Sequence, residues 1–331
     1  MVVCLRSHRA LGLIAVGIVA GPFACQVLAA DPSALPVANS PDKGNPDTTV
    51  PKHSWDLPAL TIQGQPPSTT KADDLVGDYG QPRWTTTRRF TEVRTYVLPA
   101  GQLDFEYWLF DTLPTDNELK QAEASGAQRP KPQLLQQYEV EMGLGHRIQL
   151  DIYQVTQKDG TNNGQHSSGL DGTGGLNATK FEVRYALADW GKIWGNPTLY
   201  SEWIEAVEGA DSWENKLLLC DDFNNKWSWA TNLVFQELLG DTRDRSHEWN
   251  SAISYDAIDE KLEVGFETNF AYVNNLVDPA SSQREHHWEL SAGPSIRWYP
   301  VPHAHVILAE FVGLNKDAPE SKAVAIVGWE F

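Results

Sequence analysis

Residues 323–331 read AVAIVGWEF. Successive side chains of a strand point to opposite faces, so Ala323, Ala325, Val327, Trp329 and Phe331 share one face and Val324, Ile326, Gly328 and Glu330 the other. A soluble core would have to bury that last aromatic residue beside a charged carboxylate. A membrane barrel imposes no such burial, because one face of each strand meets lipid and the other meets the interior.

The same alternation runs onward from Gln102. QLDFEYWLF, residues 102–110, sets Leu103, Phe105, Tyr107 and Leu109 against Asp104 and Glu106. YEVEMGLGHRIQLDIYQV, residues 138–155, does so twice about a tight turn at Gly145, with Glu139, Glu141, Arg147, Gln149 and Asp151 on its polar face. FEVRYAL at 181–187 and KLEVGFETNFAY at 261–272 repeat the scheme. A hydrophobic period of two marks strands whose faces meet different surroundings. It predicts strands near 102–110, 134–144, 146–156, 179–188, 197–207, 213–221, 227–238, 247–255, 261–272, 286–297, 303–311 and 322–331. These are about twelve strands of about ten residues, the length that crosses a bilayer when tilted.

Connections after the odd strands tend to be long and polar, such as residues 111–132 and 157–178, and those after the even strands short, such as FNNK and AIDEK. EGAD at 208–211 is a short exception on the long side. Long outer loops alternating with short periplasmic turns are the habit of outer-membrane barrels, and an even strand count returns both termini to the periplasm. The expected fold class is all-β, an antiparallel transmembrane β-barrel over 102–331. A soluble β-sandwich leaves the loop alternation unexplained.

The first thirty residues carry Arg6 and Arg9, an apolar run from Leu11 to Ala20, and small residues up to Ala30, which reads as a secretory signal. Pro22, three residues before Cys25, argues against a lipoprotein signal. Cleavage would remove Cys4 and Cys25 and leave Cys220 without a partner for an intramolecular disulfide. Residues 31–101 are expected as a largely irregular periplasmic extension, Pro-rich to about residue 67 and then rich in arginine, with Arg83, Arg88, Arg89 and Arg94 close together. The net charge of -18 excludes nucleic acid as a partner. Outer-membrane lipid and small solutes are the partners expected.

The signal, the amphipathic strands and the ending Trp329-Glu330-Phe331 resemble a bacterial outer-membrane β-barrel. That resemblance implies a further partner, the barrel-assembly machinery that reads the terminal aromatic. YEVEMGLGHRIQLDIYQ, NPTLYSEW and KWSWATNLVFQ are similar to the transporter-like outer-membrane family named for the MetA pathway of phenol degradation.

Polar faces then line the lumen, and the candidate lumen residues are Asp104, Glu106, Glu141, Arg147, Asp151, Glu182, Arg184, Glu202, Glu263, Glu267 and Glu289. Glu139, Glu248, Glu310, Glu330, Lys216 and Arg297 join the same inventory. An acidic lumen favours cations if it is open, whereas paired charges would instead fill the interior. The arginine cluster could also fold back as a plug into the acidic mouth. Tryptophans near strand ends suggest membrane-interface girdles, with Trp203, Trp249, Trp329 and Phe331 as candidates.

GQHSSGLDG, with His166 and Ser168, resembles the His-x-Ser-Asn-Gly segment of outer-membrane phospholipase A, but it lacks the Asn after Ser168; Asn177 is differently spaced. His287 with Glu289, or His303 with His305, could converge as metal ligands, yet neither pair reaches three. The expectation is therefore no catalytic site, metal or cofactor, and a pore or facilitator for small solutes, cation-preferring or for small aromatic compounds. A non-conducting structural or binding barrel and an acyl hydrolase are the alternatives.

Overall fold

The computed structural model describes residues 74–159, 175–223, 226–259, 261–278 and 283–331. The signal segment, the Pro-rich stretch before residue 74, and His166 and Ser168 lie outside these residues. Twelve antiparallel strands close into one barrel. They are β1 Leu103–Thr112, β2 Gln133–Gly145, β3 Ile148–Asp159, β4 Gly175–Ala186, β5 Thr198–Ala206, β6 Ser212–Phe223, β7 Trp227–Leu238, β8 Arg245–Ile258, β9 Leu262–Asp278, β10 Gln283–Val301, β11 Ala304–Gly313 and β12 Ser321–Glu330. Closure comes from β12 on β1, with Val327 opposite Tyr107, Trp329 opposite Phe105 and Glu330 opposite Asp104. Closing the sheet leaves no open edge, which the apolar interior of a membrane demands.

β9 and β10 outrun their expected lengths, at 17 and 19 residues. Pro294 lies inside β10, and the β10–β11 pairing skips from Ala292 to Ser295 there. A proline has no N–H to give the ladder.

The start of β1 and the end of β12 share one end of the barrel, called here the near end. The turn between β2 and β3 lies at this end and is made by His146 and Arg147, both left-handed at φ 52° and 62°. Two residues of that conformation match the twist of a hairpin. The turn therefore centres one residue beyond Gly145, and Arg147 belongs to it and not to the strand wall. The segment 187–197 makes a longer connection at the near end.

At the far end the connection between β1 and β2 contains a helix, α1 Asp116–Ser125, that the polar composition concealed. Thr115 and Glu118 form a reciprocal capping box, and Gly126 closes the helix in the left-handed region at φ 66°.

Candidate functional site

The barrel interior is occupied by the chain itself. Between residues 83 and 98 the segment bonds to side chains on β1, β2, β3, β4, β6, β7, β8, β9, β10 and β12. Only a segment inside the lumen can reach so many strands. The arginine-rich stretch thus runs back through the barrel before turning into β1, the arrangement its charge complementarity suggested. Residues 74–101 do not form a free extension.

Three arginines carry the attachment. Arg88 donates to Glu106 at 2.6 Å, to Glu139 at 3.0 Å and to Glu141 at 2.9 Å, with its guanidinium 4.1 Å from the centre of the Trp108 ring. Arg94 donates to Glu139 at 2.8 Å, to Glu141 at 3.0 Å and to the Tyr153 hydroxyl. Arg94 also lies 3.7 Å from Glu182, so its charge stands among carboxylates of β2 and β4. Arg89 donates to Ser254 at 2.7 Å and Asp256 at 2.5 Å and lies 3.2 Å from Glu263. Buried carboxylates of like charge are tolerable only with such partners. Glu267 is met differently, by the backbone N–H groups of Thr91 and Glu92 and the Thr91 hydroxyl.

The segment's apolar side fits small residues of the wall. Tyr79, Trp84, Phe90, Val93, Tyr96 and Val97 pack with Ala186, Cys220, Ala230 and Ala252. Cys220 is buried there as a free thiol. Trp190, in the near-end connection 187–197, stands edge-on to Trp84 and Tyr96 at 5.7 and 5.4 Å. The Tyr96 hydroxyl donates to the Ala188 carbonyl of that connection.

Most of the candidate lumen residues face this interior. Asp104, Glu106, Glu141, Asp151, Glu182, Arg184, Glu202, Glu263 and Glu267 are all buried. Arg184 bridges Glu182 and Asp151, the latter at 2.8 Å. Glu289 lines a side cavity with Glu92, Glu248 and Lys322. Arg147 is the exception, since from its turn it pairs with Asp189 at 3.0 Å on the near rim. Glu310 also departs from expectation. It shares the exposed outer face with Leu308 and Val312 and bonds to Ser321. The inner face of β11 and β12 is largely apolar, with Ile307, Ala309, Phe311, Val324 and Ile326 clustered on Trp108.

Of the histidine pairs, His287 meets Glu289 at 2.9 Å. His303 and His305 diverge, the first in the β10–β11 turn beside Trp329 and the second buried against Glu106 at 3.0 Å. Among the described residues, Glu106, Glu139 and Glu141, and likewise Glu139, Asp151 and Glu182, bring ligand atoms within metal-binding reach. Arg88, Arg94 and Arg184 already supply the positive charge at both places. Asn177, considered for a hydrolase triad, donates to Gln157 at 2.8 Å.

The outer face is apolar and aromatic. Trp203, Trp249, Trp329 and Phe331 all point outward and are exposed. Trp249 donates its indole N–H to Thr231 at 2.8 Å, and Trp213 donates to Ser201 at 2.8 Å, so these polar groups are satisfied within the sheet.

Two cavities flank the inserted segment. The near one, about 390 Å³, is lined by Arg83, Trp84, Lys261, Glu263, Tyr299 and His303 among others. The far one, about 380 Å³, is lined by Arg88, Arg94, Trp108, Phe110, Tyr153, Lys180, Tyr200, Glu202, Lys216 and neighbours.

No family model matches the sequence, and no curated protein matches it. Among solved structures the chain is similar to an outer-membrane channel from Pseudomonas putida F1, with a TM-score of 0.51 and 10% identity over 73% of this chain and 100% of that one. It also matches the NanC porin, with a TM-score of 0.43 and 11% identity over 69% of this chain and 98% of that one. A third match is the translocator domain of the autotransporter NalP from Neisseria meningitidis, with a TM-score of 0.39 and 10% identity over 70% of this chain and 88% of that one. With its closed sheet and the first of these likenesses, the chain has the fold of a bacterial outer-membrane β-barrel.

Proposed function

We propose that the chain is an outer-membrane channel for small solutes whose width is set by the inserted segment 83–98. The observation that carries this reading is the pair of cavities on either side of that segment, one at the near mouth and one in the far half of a single closed barrel. A solute entering from the far end meets Trp108, Phe110, Tyr153 and Tyr200. These rings suit a small aromatic compound, the class implied by the resemblance to the phenol-degradation family.

The far cavity's charges are nearly balanced, with Arg88, Arg94, Lys180, Lys216 and Lys322 against Glu92, Glu202, Glu214 and Glu248. We therefore expect weak charge selectivity, not the strong cation preference that the total acidity suggests. Planar-bilayer recording tests both points. The full chain should give small conductance steps with a reversal potential near zero in a salt gradient, and Arg88→Met with Arg94→Met should enlarge the steps. Silence from both proteins would leave a non-conducting binding barrel as the better reading.

A further inference from the structure

The outward face of β7 to β10 is graded in polarity at its far rim. Register sets Arg245 between Glu237 on β7 and Asn274 on β9, with His286 opposite Asn274 on β10. Two residues further along each strand, roughly 7 Å nearer the middle of the barrel, the same register aligns His247, Tyr272 and Trp288. The next row holds Trp249, Phe270 and Leu290. These rings pack on one another, Tyr272 against His286 at 5.6 Å and against Trp288 at 4.5 Å. Guanidinium, carboxamide and imidazole give way to imidazole, phenol and indole, and these to indole, phenyl and aliphatic carbon, the direction in which polarity falls from lipid headgroup to acyl chain.

The charged row is only partly compensated. Arg243 and Arg245 both donate to the same oxygen, Oε1 of Glu237, each at 3.1 Å. Two guanidiniums share one carboxylate, and both side chains are about half exposed, at 58% and 47%. Arg243 is also held in place. Its φ is 48°, and Arg284 ties its loop down by donating to the carbonyls of Thr242 at 3.0 Å and Arg243 at 2.6 Å and to the Asn274 side chain at 2.6 Å. A planar fork of N–H donors matches the oxygens of a phosphate.

We propose that Arg243, Arg245 and His286 bind the phosphate of a membrane lipid headgroup, whose acyl chains lie along the aromatic rows beneath. A lipid is favoured as the occupant because the apolar rows continue directly from the charged one, giving its chains a surface that a free anion would not use. The proposal rests on the barrel standing in the outer membrane.

Native mass spectrometry of the full chain in detergent tests it, with a diphosphorylated diglucosamine lipid and its dephosphorylated form as probes. The wild type should retain the phosphorylated lipid about tenfold better. R243Q with R245Q should lose that preference, and K120Q, on the exposed helix α1, should keep it. Equal retention by the wild type and the double variant would overturn the site. Displacement of the lipid by millimolar inorganic phosphate would overturn the lipid as its occupant. Gel mobility before and after boiling, on the same samples, reads the barrel separately: a shift without the phosphate preference refutes the site and leaves the barrel standing.

Discussion

At the scale of single residues, the ending AVAIVGWEF is shaped by what lies behind it. Gly328 faces inward, and a Cβ there would overlap the ring of His305. That ring is fully buried and bonds to Glu106. The glycine is therefore a space requirement of the interior and not a weak point of the strand. Gly328→Ala should lower the temperature at which the barrel loses its gel-mobility shift, at a cost of about 1–3 kcal/mol for overpacking. His305→Ala in the same chain should restore part of the loss, since the two changes share one space. Arg88 is the converse case, a buried charge whose removal takes a donor from each of Glu106, Glu139 and Glu141 and leaves Arg94 as the remaining cation bonded to both of the last two. Arg88→Ala should cost about 3–5 kcal/mol, the range for breaking a buried ion pair from one side, measured by urea titration of the folded barrel in detergent. Side-chain direction was legible wherever the strand alternated. It failed at Glu310, because β11 is apolar on both faces and one carboxylate amid such a run does not reveal its side. It failed at Arg147, because a two-residue turn with positive φ interrupts the count.

At the scale of elements, all twelve strands could be read from the period of two, and their ends differ most where β9 extends toward the far end and β10 toward both ends. The helix α1 was missed although its Thr115 and Glu118 stand at capping-box spacing, because the surrounding residues are polar throughout and give no helical stripe. The cap itself should matter locally. Thr115→Ala should weaken α1 by about 1 kcal/mol and speed proteolysis between residues 113 and 132 while the barrel's melting is unchanged. The inserted segment was harder to place, since its partners are scattered over ten strands and only the complementary charge pointed inward. Its attachment predicts a dependence that the strands lack. Replacing Arg88 and Arg94 with Met leaves the ladders intact but loosens the segment, so a cysteine put at Thr91 should become reactive to a water-soluble thiol reagent. Unchanged protection would mean that the apolar packing of Phe90, Val93 and Tyr96 suffices by itself.

At the scale of the whole molecule, the outer surface carries aromatic residues toward both ends. Trp249 and Trp288 lie toward the far end, and Trp298 and Trp329 toward the near end, whereas Trp84 and Trp108 are turned inward and buried. Indole favours the headgroup region over the hydrocarbon centre, so the outward tryptophans should mark the two boundaries of the membrane. Reconstitution into bilayers of brominated lipid checks this. Bromines placed near the headgroup should quench the fluorescence more strongly than bromines at the chain ends, and Trp249→Phe with Trp288→Phe should remove part of that difference. The inward pair should supply the unquenched remainder, because the sheet and the inserted segment separate Trp84 and Trp108 from lipid. Quenching that ignored bromine depth would mean that these side chains do not sit at a membrane boundary. Its absence altogether would place the apolar face away from lipid and remove the physical reason for the alternation from which the fold was read.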